Sequence, residues 1–392
     1  MCMVGFSYVA SYSVIAPILS IYVKDVISAP VEMVGLVTAM FVIASAFARL
    51  SSGVFAGGKR TITLLFFAFV IFSVCPALYP ITDSVVVLIA VRVVQGLAYA
   101  FIGTASLVLA ALAISSLERD KGVGTYTASL SLGLLAGPAI TTFSIPIFGI
   151  SKTFYFAALM GLVGIFAAFF LYRKISAIER NWQIIGVTFE KESLRGRIST
   201  VARNQMFGVA FIGNFAFFVL FGALLAYAPL YAKTAFNFSN ELVSVLFLLY
   251  YIATTVTRLS IGRIVVRVSK QTLMIVCMVL ASLFSFALAI VADIFIFAGI
   301  FALIGAVQGV LFPVGSMLIA EYVHPSRNVF ANSLYLMVVD VGQGIAPLIT
   351  AGVVVKYGLE SSFIVSATIA AVATLLLIWL NTHKTPKRPK LK

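Results

Sequence analysis

The sequence predicts an all-α membrane protein whose 12 transmembrane helices form two pseudo-symmetric six-helix bundles. Composition is the first observation: 62% of the 392 residues are hydrophobic and 10% are charged, which leaves too little polar surface to cover a water-soluble globule. Run length is the second, because twelve apolar stretches approach the roughly 20 residues that a helix needs to cross the hydrocarbon core. Repetition is the third. Gly53 lies 209 positions before Gly262, and the same interval links Tyr22 to Tyr231, Lys24 to Lys233, Glu32 to Glu241, Arg49 to Arg258 and Ser51 to Ser260. A bundle written twice in one chain explains that interval.

The first span covers about residues 1–23. No lysine or arginine precedes it and no clear small-residue cleavage site follows, so it is expected to be a bundle helix and not a removable leader. Ala16-Pro17 before Tyr22 and Lys24 resembles Ala228-Pro229 before Tyr231 and Lys233 near the end of the seventh span. The next five spans cover about 33–56, 61–82, 84–114, 122–148 and 151–172. A polar stretch from Arg173 to Gln205 then breaks the composition; with Trp182, Ile184 and Ile185 it reads equally as a helix lying at the interface or as a solvated tether. Six more spans follow, at about 206–231, 240–266, 271–292, 294–322, 328–355 and 359–381. The expected organisation is an N-terminal bundle over 1–172, a cytoplasmic linker over 173–205, a C-terminal bundle over 206–381 and a basic tail over 382–392.

Charge placement orients this map, because lysine and arginine concentrate in cytoplasmic loops. With both termini cytoplasmic, 20 of the 27 basic residues fall on the cytoplasmic side, four (Lys24, Lys152, Lys233 and Lys356) fall opposite, and Arg49, Arg92 and Arg258 lie within or at the ends of spans. The net charge of +14 is therefore a topology signal in a multi-pass protein of the cell membrane, and no nucleic-acid partner is expected. The tail from His383 to Lys392 can also attract anionic lipid heads. Cys2, Cys75 and Cys277 have no metal spacing and sit in apolar runs as small core residues. The two histidines, His324 and His383, complete no set of nucleophile, base or ligands. No enzyme, cofactor or metal site is expected.

The fourth span carries the sharpest motif: Leu88, Arg92, Gln95 and Gly96, with Ala100 following. An arginine within a span turns toward protein or a water-filled cavity, since lipid penalises the charge; hydrogen bonding to backbone carbonyls would be a purely structural use of it. Here the chain resembles the major facilitator superfamily, whose fourth helix carries L, three variable residues, R, two variable residues, Q and G. The fifth span adds Gly124, Gly133, Gly137 and Pro138, spaced as in family members that act as antiporters, though Thr141 and Thr142 replace the terminal glycine pair. The resemblance covers both halves and extends to Arg49-Leu50-Ser51 before Gly53 and Arg258-Leu259-Ser260 before Gly262. One departure is the acid that usually follows the glycine after the second span: Gly53 leads to Val54, Phe55, Ala56, Gly57, Gly58, Lys59 and Arg60, and Val266 holds the matching place in the second copy. Cytoplasmic closure is then expected to rely on packing and not on a charge latch.

The fifth-span spacing also has a physical reason. Thr125, Ser129, Gly133, Gly137 and Thr141 recur every fourth residue and make a stripe that another helix can approach closely. Pro138 removes a backbone donor and can bend the helix. The eleventh span keeps Gly342, Ala346, Pro347 and Thr350 at the interval of 209.

Of the thirteen acidic residues, Asp340 alone lies near the middle of a span, beside Val338, Val339 and Val341. Gln343 shares its helix face. By rise per residue Asp340 and Arg92 lie at one membrane depth, about 18 Å and 12 Å from opposite faces of a core about 30 Å thick, so they are expected to sense each other in at least one state. A carboxylate held between desolvation and a nearby cation can exchange a proton as a cavity changes sides; a permanently ionised structural acid is the competing reading. Spans 1, 4, 7 and 10 surround the central cavity in the family, so the resemblance implies a lining that includes Tyr12, Gln95, Tyr99, Asn214, Phe218, Gln308 and Phe312. Gln308-Gly309 is expected to repeat Gln95-Gly96 at an interval of 213. That sparsely polar, aromatic lining suits a lipophilic or weakly charged small molecule. The resulting expectation is a monomeric, alternating-access secondary transporter, proton-coupled and exporting. Uptake or facilitated diffusion of a small organic anion steered by Arg92 is the alternative, and a non-transport protein on the same scaffold is the alternative of another class.

Overall fold

A computed structural model of the chain describes residues 1–52, 58–112, 119–173, 201, 204–323 and 328–383. Among these residues eleven helical stretches are long and apolar enough to cross a membrane. One of them, Arg119–Arg173, runs for 55 residues and breaks at Gly149, where φ is 75° and ψ is 170°. Glycine alone adopts that backbone without strain, and the stretch is about twice what one crossing takes. It is two spans end to end, which accounts for all twelve.

The spanning helices are α1 (Cys2–Val26), α2 (Val31–Ser52), α3 (Gly58–Leu78), α4 (Val85–Leu112), α5 (119–148), α6 (150–173), α7 (Gln205–Phe236), α8 (Asn240–Ile264), α9 (Lys270–Ile290), α10 (Ile294–Tyr322), α11 (Asn328–Tyr357) and α12 (Ser361–His383). Short polar side chains start several of them by accepting the orphan N–H groups of the first turn. Asn204 accepts from Met206 and Phe207 at α7, Ser269 from Thr272 at α9, and Asp293 from Phe295 and Ile296 at α10. Asn237 ends α7 in the left-handed conformation, φ 52°. Pro17 has no N–H to donate, and the regular ladder of α1 is interrupted between Ile15 and Leu19. Pro229 sits inside an unbroken α7 and follows Pro17 by 212 positions, so the expected Ala-Pro match is one of composition and not of register.

Large apolar side chains such as Phe143, Ile147, Phe166, Phe170, Phe295 and Leu375 are exposed, as lipid contact requires. The chain divides into two compact units, Met1–Glu190 with Phe238–Val245, and Lys191–Asn237 with Leu246–Lys392. Residues 174–200 of the expected linker, residues 384–392 of the tail and residues 53–57 after α2 lie outside the described residues, and with them the interfacial-helix and charge-latch expectations.

Inside each unit the packing follows the interval of 209. Tyr12 stacks on Phe41 with ring centroids 5.6 Å apart, and Phe221 stacks on Tyr250 at 5.5 Å. Tyr22 meets Phe154 edge-on at 4.9 Å, and Tyr231 meets Phe363 edge-on at 5.3 Å. Ser73 donates to the Ala158 carbonyl at 2.7 Å, and Ser282 donates to the Ala367 carbonyl at 2.9 Å. A Cβ placed on Gly96 would lie 2.1 Å from the Phe41 carbonyl oxygen, and one on Gly305 would lie 2.2 Å from that of Tyr250. This register corrects one expectation: the structural counterpart of Gly96 is Gly305 and not Gly309, because the backbone approach of α2 to α4 recurs at Gly305.

Candidate functional site

In the first unit the site is built on one face of α4, where Arg92, Gln95, Gly96 and Tyr99 follow at helical spacing. The missing side chain of Gly96 lets α2 come close enough for Phe41 to lie over the guanidinium, 4.2 Å from Arg92 Cζ to the ring centroid. Arg92 is 3% exposed. Its Nε donates to the Val37 carbonyl at 3.4 Å, and its Nη1 donates to Gln95 Oε1 at 3.1 Å and to the Tyr79 hydroxyl oxygen at 3.5 Å. Tyr79 in turn donates to Gln95 Oε1 at 2.5 Å, while Tyr22 donates to the Tyr79 carbonyl at 2.6 Å. Gln95 is fully buried, and its Nε2 has no hydrogen-bond partner among the described residues.

Next to this network lies an aromatic cluster. Tyr99 contacts Tyr8, Tyr12 and Phe41 with centroids 5.1 to 5.5 Å apart. The guanidinium of Arg49 sits 5.8 Å from the Tyr99 centroid. Tyr12 and Tyr99 are partly buried and pack on the core formed by Val4, Tyr8, Phe41, Phe69, Phe72 and Ile102.

In the second unit α7, α10 and α11 bring together Asn214, Phe218, Phe312 and Tyr335. Phe312 lies 6.2 Å from Phe218 and 5.8 Å from Tyr335, and Arg258 Cζ is 5.7 Å from its centroid. Gly315 leaves room for both Asn214 and Tyr335, since a Cβ there would fall 2.5 Å from Asn214 Nδ2 and 2.6 Å from the Tyr335 hydroxyl. Asn214 Nδ2 donates to the Ala210 carbonyl at 3.1 Å, and Tyr335 donates to the Phe312 carbonyl at 2.9 Å. Two buried acceptors, Asn214 Oδ1 and Gln308 Oε1, have no partner among the described residues.

Asp340 and Gln343 on α11 are 5% and 6% exposed. The seam of α11 with α7 takes in the backbone of Gln343, since a Cβ on Gly222 would fall 2.1 Å from its carbonyl oxygen, so the expectation that Gln343 faces away from the Gly342 and Ala346 seam is corrected. A Cβ on Gly342 would fall 2.6 Å from the Phe215 carbonyl oxygen, Ala346 packs with Val219 and Ala223, and Tyr227 donates to the Pro347 carbonyl at 2.9 Å. In the first unit the same seam joins α5 to α1. Ser13 donates to the Gly133 carbonyl at 2.8 Å, Thr141 donates to the Val14 carbonyl at 3.1 Å, and Gly137 faces the backbone of Ser13 and Val14. Pro138 and Pro347 both lie inside their helices. Gly124 lies in the first turns of α5, and its surroundings are outside the described residues. Arg92 belongs to the first unit and Asp340 to the second.

Sequence reasoning singled out Arg92 and Gln95 but missed Phe41, Tyr79, Tyr22 and Tyr335. The repeat offered a signal for two of these, since Tyr22 pairs with Tyr231 and Tyr126 with Tyr335 at the interval of 209. Phe41 and Tyr79 gain their roles only from the approach of α2 and of the turn after α3.

Residues 1–292 and 210–392 each match the sequence model of the Major Facilitator Superfamily. The chain is 24% identical over 255 residues to Multidrug resistance protein 2 of Bacillus subtilis (strain 168), a match that spans 62% of this chain and 62% of that relative's length. Among solved structures it resembles the nucleoside transporter NupG, with a TM-score of 0.73, 15% identity and 98% of each chain covered. It also resembles a bacterial homologue of the human lysosomal transporter Spinster, with a TM-score of 0.74, 11% identity, and 97% of this chain and 95% of the other covered.

Proposed function

The chain belongs to the Major Facilitator Superfamily, a family of membrane transporters and not of enzymes, and on that premise we propose that it exports a small lipophilic or weakly charged molecule in exchange for protons. Asp340 carries this reading. It is an acid near the middle of a span, it is buried, and it lies three residues from buried Gln343 on a helix that contains Pro347. A cavity that alternates between the two sides of the membrane would let such a carboxylate load and release a proton in step with substrate.

Candidate recognition residues are Tyr12, Gln95 and Tyr99 within the first unit and, taken separately, Asn214, Phe218, Gln308 and Phe312 within the second. The rings offer apolar area, and the two partnerless acceptors suit a ligand that brings its own N–H or O–H donors. A relative named for multidrug resistance agrees with a lipophilic substrate. The likeness to nucleoside transporters rests on fold alone. The setting is a cell membrane with both termini cytoplasmic.

The test is transport by purified protein in liposomes under imposed pH gradients, across a panel of lipophilic cations, organic anions and sugars. Export that collapses with the gradient is expected. Asp340→Asn is expected to abolish gradient-driven accumulation while leaving substrate exchange intact; undiminished gradient-driven transport by that variant would remove the acid from the mechanism. Uptake of an organic anion is the second reading, favoured by Arg92, whose hydrogen-bond and ring partners among the described residues are all neutral.

A further inference from the structure

The first helix is broken where its repeat in the second unit is not. Pro17 supplies no N–H to the Ser13 carbonyl. One residue on, the Ile18 N–H leaves the Val14 carbonyl, its partner in a regular α-helix, and donates instead to the Ile15 carbonyl at 3.2 Å. Ile18 stands at φ −110°, ψ −14°, away from helical values. A π-turn over Tyr22–Val26 follows, closed by the Ile27 N–H on the Tyr22 carbonyl at 3.0 Å. α7 contains Pro229 and stays α-helical from Gln205 to Phe236, so a proline alone does not impose the break.

The Val14 carbonyl that Ile18 gives up is taken by another helix. Thr141 Oγ1 on α5 donates to it at 3.1 Å, and Gly137, one turn earlier, puts no side chain between α5 and the Ser13–Val14 peptide. Thr141 has a second acceptor, the Gly137 carbonyl of its own helix at 2.9 Å, and a hydroxyl has one proton to give. The second unit makes the other choice. Thr350, at the interval of 209 from Thr141, donates to the Ala346 carbonyl of its own helix at 2.7 Å, and the α7 on which α11 packs is unbroken.

We propose that Thr141 is the catch of a two-state hinge in α1. In one state its hydroxyl holds the Val14 carbonyl and α1 is broken. In the other the Ile18 N–H takes that carbonyl back, Thr141 turns to Gly137, and α1 runs on as α7 does. Each state satisfies the Val14 carbonyl, so neither bears the cost of an orphaned buried acceptor. The hinge separates Tyr12, a candidate recognition residue, from Tyr22, which donates to the Tyr79 carbonyl at 2.6 Å and meets Phe154 edge-on. Switching re-aims the outer end of α1 against its own unit. Catch and acceptors all lie in the first unit, and the hinge stands apart from proton coupling through Asp340 and from the direction of transport.

The experiment is a pulsed electron paramagnetic resonance distance measurement on the full-length protein with Cys2→Ser. Spin labels are placed at Lys24→Cys and Lys152→Cys, exposed positions at the outer ends of α1 and α6 in the first unit. The parent should give a main distance, that of the broken helix. Thr141→Val keeps the shape and removes the hydroxyl, and should enlarge a second distance, that of the continuous helix, about fivefold. Thr141→Ser should keep the parent distribution. Pro17→Ala restores a donor to the Ser13 carbonyl and should enlarge the same second distance with α5 untouched. A threonine that only supports packing would lower Tm in Thr141→Val and leave the distances alone. An unchanged distribution in Thr141→Val, or in Pro17→Ala where the valine variant does not fold, would overturn the proposal.

Discussion

Gly96 and Gly305 show how single residues hold each unit together. Each lets a neighbouring backbone carbonyl sit where a Cβ would be, 2.1 Å and 2.2 Å away, and backbone cannot move aside as a side-chain tip can. Gly96→Ala and Gly305→Ala are each expected to cost about 1–3 kcal/mol, read as a lowered midpoint in thermal unfolding of the purified protein. Gly262 meets nothing within 4 Å, so Gly262→Ala should be neutral or stabilise by up to about 1 kcal/mol through helix propensity. Tyr79→Phe removes the donor that orients Gln95 and should destabilise by about 1 kcal/mol. At this scale the sequence showed Arg92 and Gln95 because polar residues are rare in an apolar span. It did not show that Phe41 covers the guanidinium, since ring contact depends on how closely two helices approach.

Among the helices the clearest device is the small-residue stripe of α5. Its period of four, from Thr125 to Thr141, was legible in the sequence, but the identity of the helix it receives was not. Serine and threonine also join helices through backbone carbonyls, as at Ser73 with Ala158 and Ser282 with Ala367. Ser73→Ala and Ser282→Ala should each lower stability by roughly 0.5–1.5 kcal/mol. Because the two contacts lie in separate units, the double variant should show the sum of the single effects within about 0.5 kcal/mol, measured in the same unfolding assay. Several buried polar residues differ between the copies. Asp340 stands where the first copy has Ser131, Gln308 where it has Tyr99, and Arg92 where the second copy has Phe301. Duplication preserved helix contacts such as those of Ser73 and Ser282, while Arg92, Gln308 and Asp340 each occur in one copy.

For the whole molecule, the charge asymmetry of the loops makes a prediction about sidedness. Cys75 and Cys277 are buried and Cys2 is half-buried, so in a Cys2→Ser background, labelling by a membrane-impermeant thiol reagent should be low. A cysteine introduced as Val268→Cys, before α9, should react only from the cytoplasmic side, and one introduced as Ala292→Cys, after α9, only from the opposite side. Reaction of both from one side would contradict a spanning α9. By itself the sequence determined the solvent, the number of crossings and the duplication, because each is a property of composition, run length or interval that no folding can alter. Only the tertiary structure decided which glycines are contact points, where the true register of the repeat lies, and that Arg92 has neutral partners within its unit. Those are matters of distances of a few ångströms between helices far apart in the chain, and a one-dimensional pattern carries no such distances.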